Sequence, residues 1–144
     1  MQVSQRMWEH FPELCKWIEH EIPKVRNKEK VWAAFMKYGE LSAKHALRAV
    51  EFGPHPLLDF KVMTNANGKY NGKKEPNVIY IDRGICRRFE NKDSKEPKMH
   101  LLLESTILHE LVHWGDAQDG RDQDGEEGKK FEKAAYGKDI DRYW

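Results

Sequence analysis

The sequence predicts an α+β protein, on three observations. The first third carries apolar residues at helical spacing, the middle alternates turn formers with β-branched and aromatic runs, and the last third returns to a long helical pattern. The 144 residues suit one domain spanning 1–144. Residues 12–20 form the first predicted helix: Leu14, Trp17 and Ile18 share a face, Pro12 fits the first turn and Pro23 bounds it. Asn27 is placed to cap a second helix running to residue 38, with Val31, Phe35 and Tyr38 on one side and Gly39 as its stop. Ser42 caps a third, ended by Gly53-Pro54-His55-Pro56. Trp8, Trp17 and Trp32 are assigned to core or lid.

The middle reads as a small sheet. Residues 57–63 have strand content, 65–72 are a turn-rich hairpin or exposed loop, and 77–82 are a β-branched and aromatic strand. The stretch 78–81 is the candidate sheet edge, with an ordinary internal strand as the equal alternative. Residues 84–90 suit a helical turn and 91–98 a solvated connector. A long helix then starts at Pro97 and ends at Gly115 or Gly120. Leu103, Ile107 and Leu111 form its apolar stripe, widened by Leu101, Leu108 and Val112. A final helix runs over 124–136, with Asp124 as cap, Glu127 completing a capping box and Gly137 as stop.

Composition excludes several classes. Lysine and arginine total 25 against 24 aspartates and glutamates, so there is no electrostatic basis for nucleic-acid binding. The mean hydropathy of −0.88 is low. Even so, five Trp, six Phe and five Tyr supply enough core material for a folded domain. No apolar run reaches membrane-spanning length, and residues 1–6 lack the basic head and apolar centre of a signal peptide. Any export therefore uses a route not written in that segment. Cys15 and Cys86 are not a metal-binding pair; two buried or free thiols are expected rather than a disulfide.

The chemistry concentrates in His109-Glu110-Leu111-Val112-His113, an HExxH segment. Residues four apart stack on one helix face, so His109 and His113 can grip one metal ion. Glu110 beside them is free to take the proton of a water on that metal. Leu102, Ser105, His109 and His113 share a face of a mostly apolar helix, where two imidazoles are costly to bury without partners.

A catalytic zinc site normally has three protein ligands and one open position. Three readings of the third ligand compete. A carboxylate of the last helix is favoured: Glu132 sits mid-helix beside Phe131, with small residues nearby for close packing, and Glu127 is the alternative there, although Glu126 and Glu127 also suit cap and dipole roles. Asp116 or Asp119, just past the motif, form the second reading, with Asp116 alternatively orienting a histidine from behind. In the third, residues 116–124 bind calcium, but their spacing fails the EF-hand pattern and a solvated acidic loop is preferred.

The string 103–116, with Asp119-Gly120, Glu126-Glu127-Gly128, Phe131-Glu132 and Tyr136-Gly137, resembles the zincin metallopeptidase toxin domains. These are found at the C-termini of bacterial polymorphic toxins and of type VI secretion spike effectors. The strand at 77–82 shares the likeness. The resemblance implies a zincin-like fold of N-terminal helices, small β-sheet, HExxH helix and C-terminal helix. It implies Zn²⁺, peptide-bond hydrolysis, a role against competing cells or a host, and Glu132 as third ligand. It also implies a monomer that stays cytoplasmic in the producer until export. Delivery would be into a target cell, with the periplasm as one destination, and a cognate immunity protein would be its partner. The chain starts at methionine with no delivery domain, which fits a free-standing effector or an excised domain.

The function expected is therefore a zinc metallopeptidase: His109, His113 and Glu132 hold the metal, Glu110 is the general base and acid, and Tyr136 is the oxyanion candidate. The substrate is expected to add as a strand to a sheet edge. Two rivals remain at this stage, a non-catalytic metal-stabilised binding domain and a zinc hydrolase of a cell-wall amide.

Overall fold

The computed structural model describes residues 1–119 and 126–144, and the side chains of all of these but Asp119 and Glu126. The expected cap Asp124 and the acidic positions at 122 and 124 lie outside the described residues. Among the described residues there are seven α-helices and four short strands. The order is β1 (Gln2–Val3), α1 (Gln5–His10), α2 (Pro12–Glu21), α3 (Glu29–Tyr38), α4 (Ala43–Val50), β2 (Leu57–Lys61), β3 (Gly68–Tyr70), β4 (Val78–Asp82), α5 (Arg83–Arg88), α6 (Pro97–Asp116) and α7 (Glu126–Tyr136). This is the α+β arrangement predicted.

The helical starts follow local chemistry. Pro12 opens α2 and Pro97 opens α6, where a missing N–H costs nothing. Ser42 caps α4 by accepting from the His45 N–H at 3.2 Å. Asn27 does not cap α3: it ends a 3₁₀ turn over Ile22–Asn27, and Lys28 takes the cap position without a side-chain bond. Two elements escaped the sequence reading. α1 is capped by Ser4, which accepts from Met7 N–H at 3.1 Å and donates to Asp59 at 2.8 Å. β1 is only two residues long and exists because β2 lies beside it.

The sheet order is β1-β2-β4-β3, with β2 parallel to both neighbours and β3 antiparallel to β4. Leu58 and Phe60 of β2 and Ile79 and Ile81 of β4 point inward at alternate positions, in register with one another. This corrects the candidate edge. The strand Val78–Asp82 is interior, because the segment read as a turn folds back and Gly68–Tyr70 pairs along its free side. β3 is the edge strand there.

The core is one cluster of aliphatic and aromatic side chains: Leu14, Ile18, Phe35, Ile79, Met99, Leu103, Ile107, Leu111 and Phe131 are all buried in it. Trp8, Trp17 and Trp32 pack on its margin, as expected of scaffold residues. Leu101, counted in the apolar stripe, is instead 37% exposed. Cys15 and Cys86 are free and buried, and burial pushes the Cys15 thiol up to about 12. No helix of the described residues is long and apolar enough to cross a membrane. Gly115 does not stop α6. A Cβ there would lie 2.6 Å from the Gly39 carbonyl oxygen, so the glycine lets α6 approach the end of α3.

Phe131 locks α7 to the core, edge-on to Phe35 at 6.4 Å and to Tyr136 at 5.9 Å. It is fully buried. Phe131→Ala is expected to cost about 3–5 kcal/mol, read from the urea midpoint at unchanged slope.

Candidate active site

α6 is buried almost all round from Leu102 onward, so its polar side chains must find partners. Glu104 meets Lys28 Nζ at 2.5 Å and the Tyr136 hydroxyl at 2.8 Å. Ser105 donates to the Leu102 carbonyl at 3.0 Å. One turn further on come His109, Glu110 and His113.

His109 is the hub. Its Nδ1 lies 2.5 Å from Glu132 Oε2 on α7, and its Nε2 lies 3.3 Å from Nε2 of His113. The second carboxylate oxygen of Glu132 accepts from the Ile140 backbone N–H at 2.8 Å. A carboxylate on Nδ1 keeps the proton on that nitrogen and leaves Nε2 as the acceptor. Burial lowers the pKa of His109, but the hydrogen bond to Glu132 and the charges of Glu110, Glu132 and Asp139 outweigh it and hold the imidazole above its ordinary value. α7 comes close because Gly128 faces the ring: a Cβ at 128 would stand 2.1 Å from His109 Nε2.

Glu110 is 6% exposed and accepts no hydrogen bond among the described residues. Burial pushes its carboxyl up to about 7, the charge of His109 lowers it and that of Glu132 raises it. A carboxyl that titrates near neutrality is suited to accepting and returning a proton. Gly68 of β3 sits directly above it. A Cβ there would lie 2.9 Å from Glu110 Cγ and Oε2 and from Thr106 Cγ2. The edge strand therefore reaches the motif helix only because position 68 lacks a side chain. Glu110, Thr106, His109, Gly68, Glu132 and Asp139 line a cavity of about 400 Å³.

The other sequence-chosen residues fall elsewhere. Tyr136 donates its hydroxyl to Glu104; burial and the Glu104 charge raise its pKa, and it is not among the residues lining that cavity. Glu127 pairs with Lys130 at 3.4 Å. Asp116 is buried one turn past His113. The side chains of Asp119 and Glu126 lie outside the described ones. Sequence reasoning missed Gly68, Gly128, Thr106 and the 139–141 segment as site components. A glycine inside the amphipathic pattern of α7 was the available signal, since it costs about 1 kcal/mol relative to Ala and needs a packing reason.

The spacing of the imidazole nitrogens suits a metal. Two nitrogens bound to one tetrahedral zinc at roughly 2.05 Å each stand about 3.3 Å apart, which matches the distance between the two Nε2 atoms. The imidazole pair therefore fits. Among the described residues, no three of His, Cys, Asp and Glu are grouped so as to hold a metal between them.

A buried HExxH helix under a short edge strand, with paired imidazoles and a carboxyl raised by burial, is compatible with a metallopeptidase. The chain belongs to the metallopeptidase toxin 3 family, whose model matches residues 8–137. No curated protein and no solved structure matches it.

Proposed function

We propose that this domain is a zinc-dependent metallopeptidase acting as a delivered bacterial toxin. The carrying observation is the 3.3 Å approach of the His109 and His113 Nε2 atoms beside a buried Glu110 that accepts no hydrogen bond among the described residues. His109 and His113 would hold the ion; imidazole nitrogen suits zinc. A zinc ion held there supplies Lewis acidity toward a peptide carbonyl and toward water. Glu110 takes a proton at its carboxylate and returns it to the leaving amine.

Glu132 is proposed as a positioning residue rather than a ligand. Both its oxygens are already bonded, one to His109 Nδ1 and one to the Ile140 N–H, and a carboxylate on the far nitrogen aligns a metal-binding imidazole. Tyr136, whose hydroxyl donates a hydrogen bond to Glu104, is assigned to packing and not to the oxyanion. The substrate chain would add along β3, the edge strand over Glu110. As a toxin it would be carried into a target cell and neutralised in the producer by a cognate partner.

Metal analysis of purified protein should find about one zinc per chain, lost in His109→Ala. Glu132→Gln keeps an acceptor for Nδ1–H, so zinc affinity is expected to fall about 10–100-fold; complete loss would make Glu132 a ligand. Toxicity in bacteria, compared for cytoplasmic and periplasmic expression of wild type and Glu110→Gln, tests the function directly. Equal toxicity of the two would favour a non-catalytic binding domain. Toxicity without proteolysis, accompanied by release of cell-wall amides, would favour the amidase alternative.

A further inference from the structure

The wall of the Glu110 cavity that the sequence did not foretell is the stretch 139–141 after α7. It is held rigidly. Ile140 donates its N–H to Glu132 and buries its side chain, while Arg142 bonds Asn67 Oδ1 at 2.9 Å, Asp82 Oδ2 at 2.8 Å and the Ala66 carbonyl at 3.3 Å. With Ile140 turned inward, the residues on either side of it face outward, as alternate positions of an extended chain do. Asp139 and Asp141 are exposed, line the cavity and form no ion pair among the described residues. Asp139 is close enough for its charge to act on His109.

Ala66, Asn67 and Gly68 also line the cavity, and besides the His109 imidazole the one cationic chain among the lining residues is Lys129 of α7. Carboxylates outnumber it, and Glu132 is committed to His109. Independently, Glu110 is more than nine-tenths buried, aims into the same cavity and accepts no hydrogen bond among the described residues. A ligand that supplies donors and positive charge fits such a space.

Resting on the peptidase reading, we propose that the substrate is a polypeptide with a lysine or arginine beside the bond to be cleaved, its cationic head taken by Asp139 and Asp141. The two aspartates flank a pinned residue, so they bind without first being ordered. Their exposure makes the preference salt-sensitive.

The test uses zinc-loaded protein and, for each position in turn around the cleaved bond, three peptides blocked at both ends and identical except for Lys, Gln or Glu there. The expected kcat/KM order at the responsive position is Lys above Gln above Glu. Lys and Glu should differ by about tenfold at low salt, and the gap should shrink at high salt. Asp139→Lys with Asp141→Lys should invert the order. Binding of the same peptides to Glu110→Gln, followed by calorimetry, should show the same preference.

Equal cleavage of all three peptides leaves the peptidase reading standing and overturns this inference, as does an order untouched by the double substitution. If nothing is cleaved while Glu110→Gln still prefers the Lys peptide, the peptidase reading fails and the cation preference survives. No cleavage and no preference overturns both.

Discussion

Glu110→Gln is expected to abolish turnover, by about 10²–10⁴-fold or more, while zinc content stays at the wild-type level. The amide fills the same space but can neither accept nor return a proton. The substitution should also change stability, in a direction set by burial. In wild type, burial raises this carboxyl from 4.5 to about 7. Below 4.5 both folded and unfolded chains carry it protonated, so it contributes nothing to the pH dependence. Between 4.5 and 7 the unfolded chain ionises first and so binds fewer protons, and stability falls as pH rises. Above 7 the penalty is complete, on the order of 3 kcal/mol at its upper limit. In chelator-treated protein, Glu110→Gln should therefore be more stable than wild type at pH 8, and the difference should vanish near pH 4. Thermal melts at the two pH values check this. An inactive variant that gains stability marks a carboxyl kept for chemistry and not for folding. A Gln variant that loses zinc would make Glu110 a structural member of the site.

Gly128→Ala should break the site although helix propensity alone says it should help. Replacing a helical glycine by alanine ordinarily stabilises by about 1 kcal/mol. Here the new methyl would stand 2.1 Å from His109 Nε2 and 2.4 Å from Cδ2 and Cε1. Something must move, and the ring is tied to Glu132 on the same helix. The imidazole cannot keep both that bond and its approach to His113. Zinc affinity is expected to fall by 100-fold or more, with overpacking costing about 1–3 kcal/mol. The discriminating background is His109→Ala, which removes the obstructing ring. There, Gly128→Ala should become neutral or stabilising, and a double-mutant cycle on melting temperature isolates the contact. Wild-type zinc affinity in Gly128→Ala would mean that His109 does not face α7.

The motif helix was legible because its evidence is local. His109 and His113 lie four apart on a run with helical apolar spacing, and Pro97 announces the start. Helices α2, α3 and α4 were legible for the same reason, through Pro12, Gly39 and Ser42. The exchange of edge and interior strands was not. Val78–Asp82 and Gly68–Tyr70 differ in composition as an obvious strand and an obvious turn do. The weak stretch pairs only because its neighbour offers a free row of backbone groups. Gly115 looked like a helix stop because a glycine that permits close approach and one that ends a helix are the same letter in sequence. Only the position of Gly39 tells them apart.

What the sequence determined alone was the α+β class, the helix bearing His109, Glu110 and His113, and the expectation that Glu132 of the last helix lies beside that pair. Each follows from spacing along one element, where neighbours are set by helical or strand period. What the tertiary structure decided was the partner of each group: Glu132 on His109 Nδ1, Gly128 against its ring, Gly68 over Glu110, and Asp139 and Asp141 in the cavity wall. Those contacts join segments from 20 to 40 residues apart or more, and their geometry is fixed by how α6, α7 and β3 pack, which no local pattern encodes.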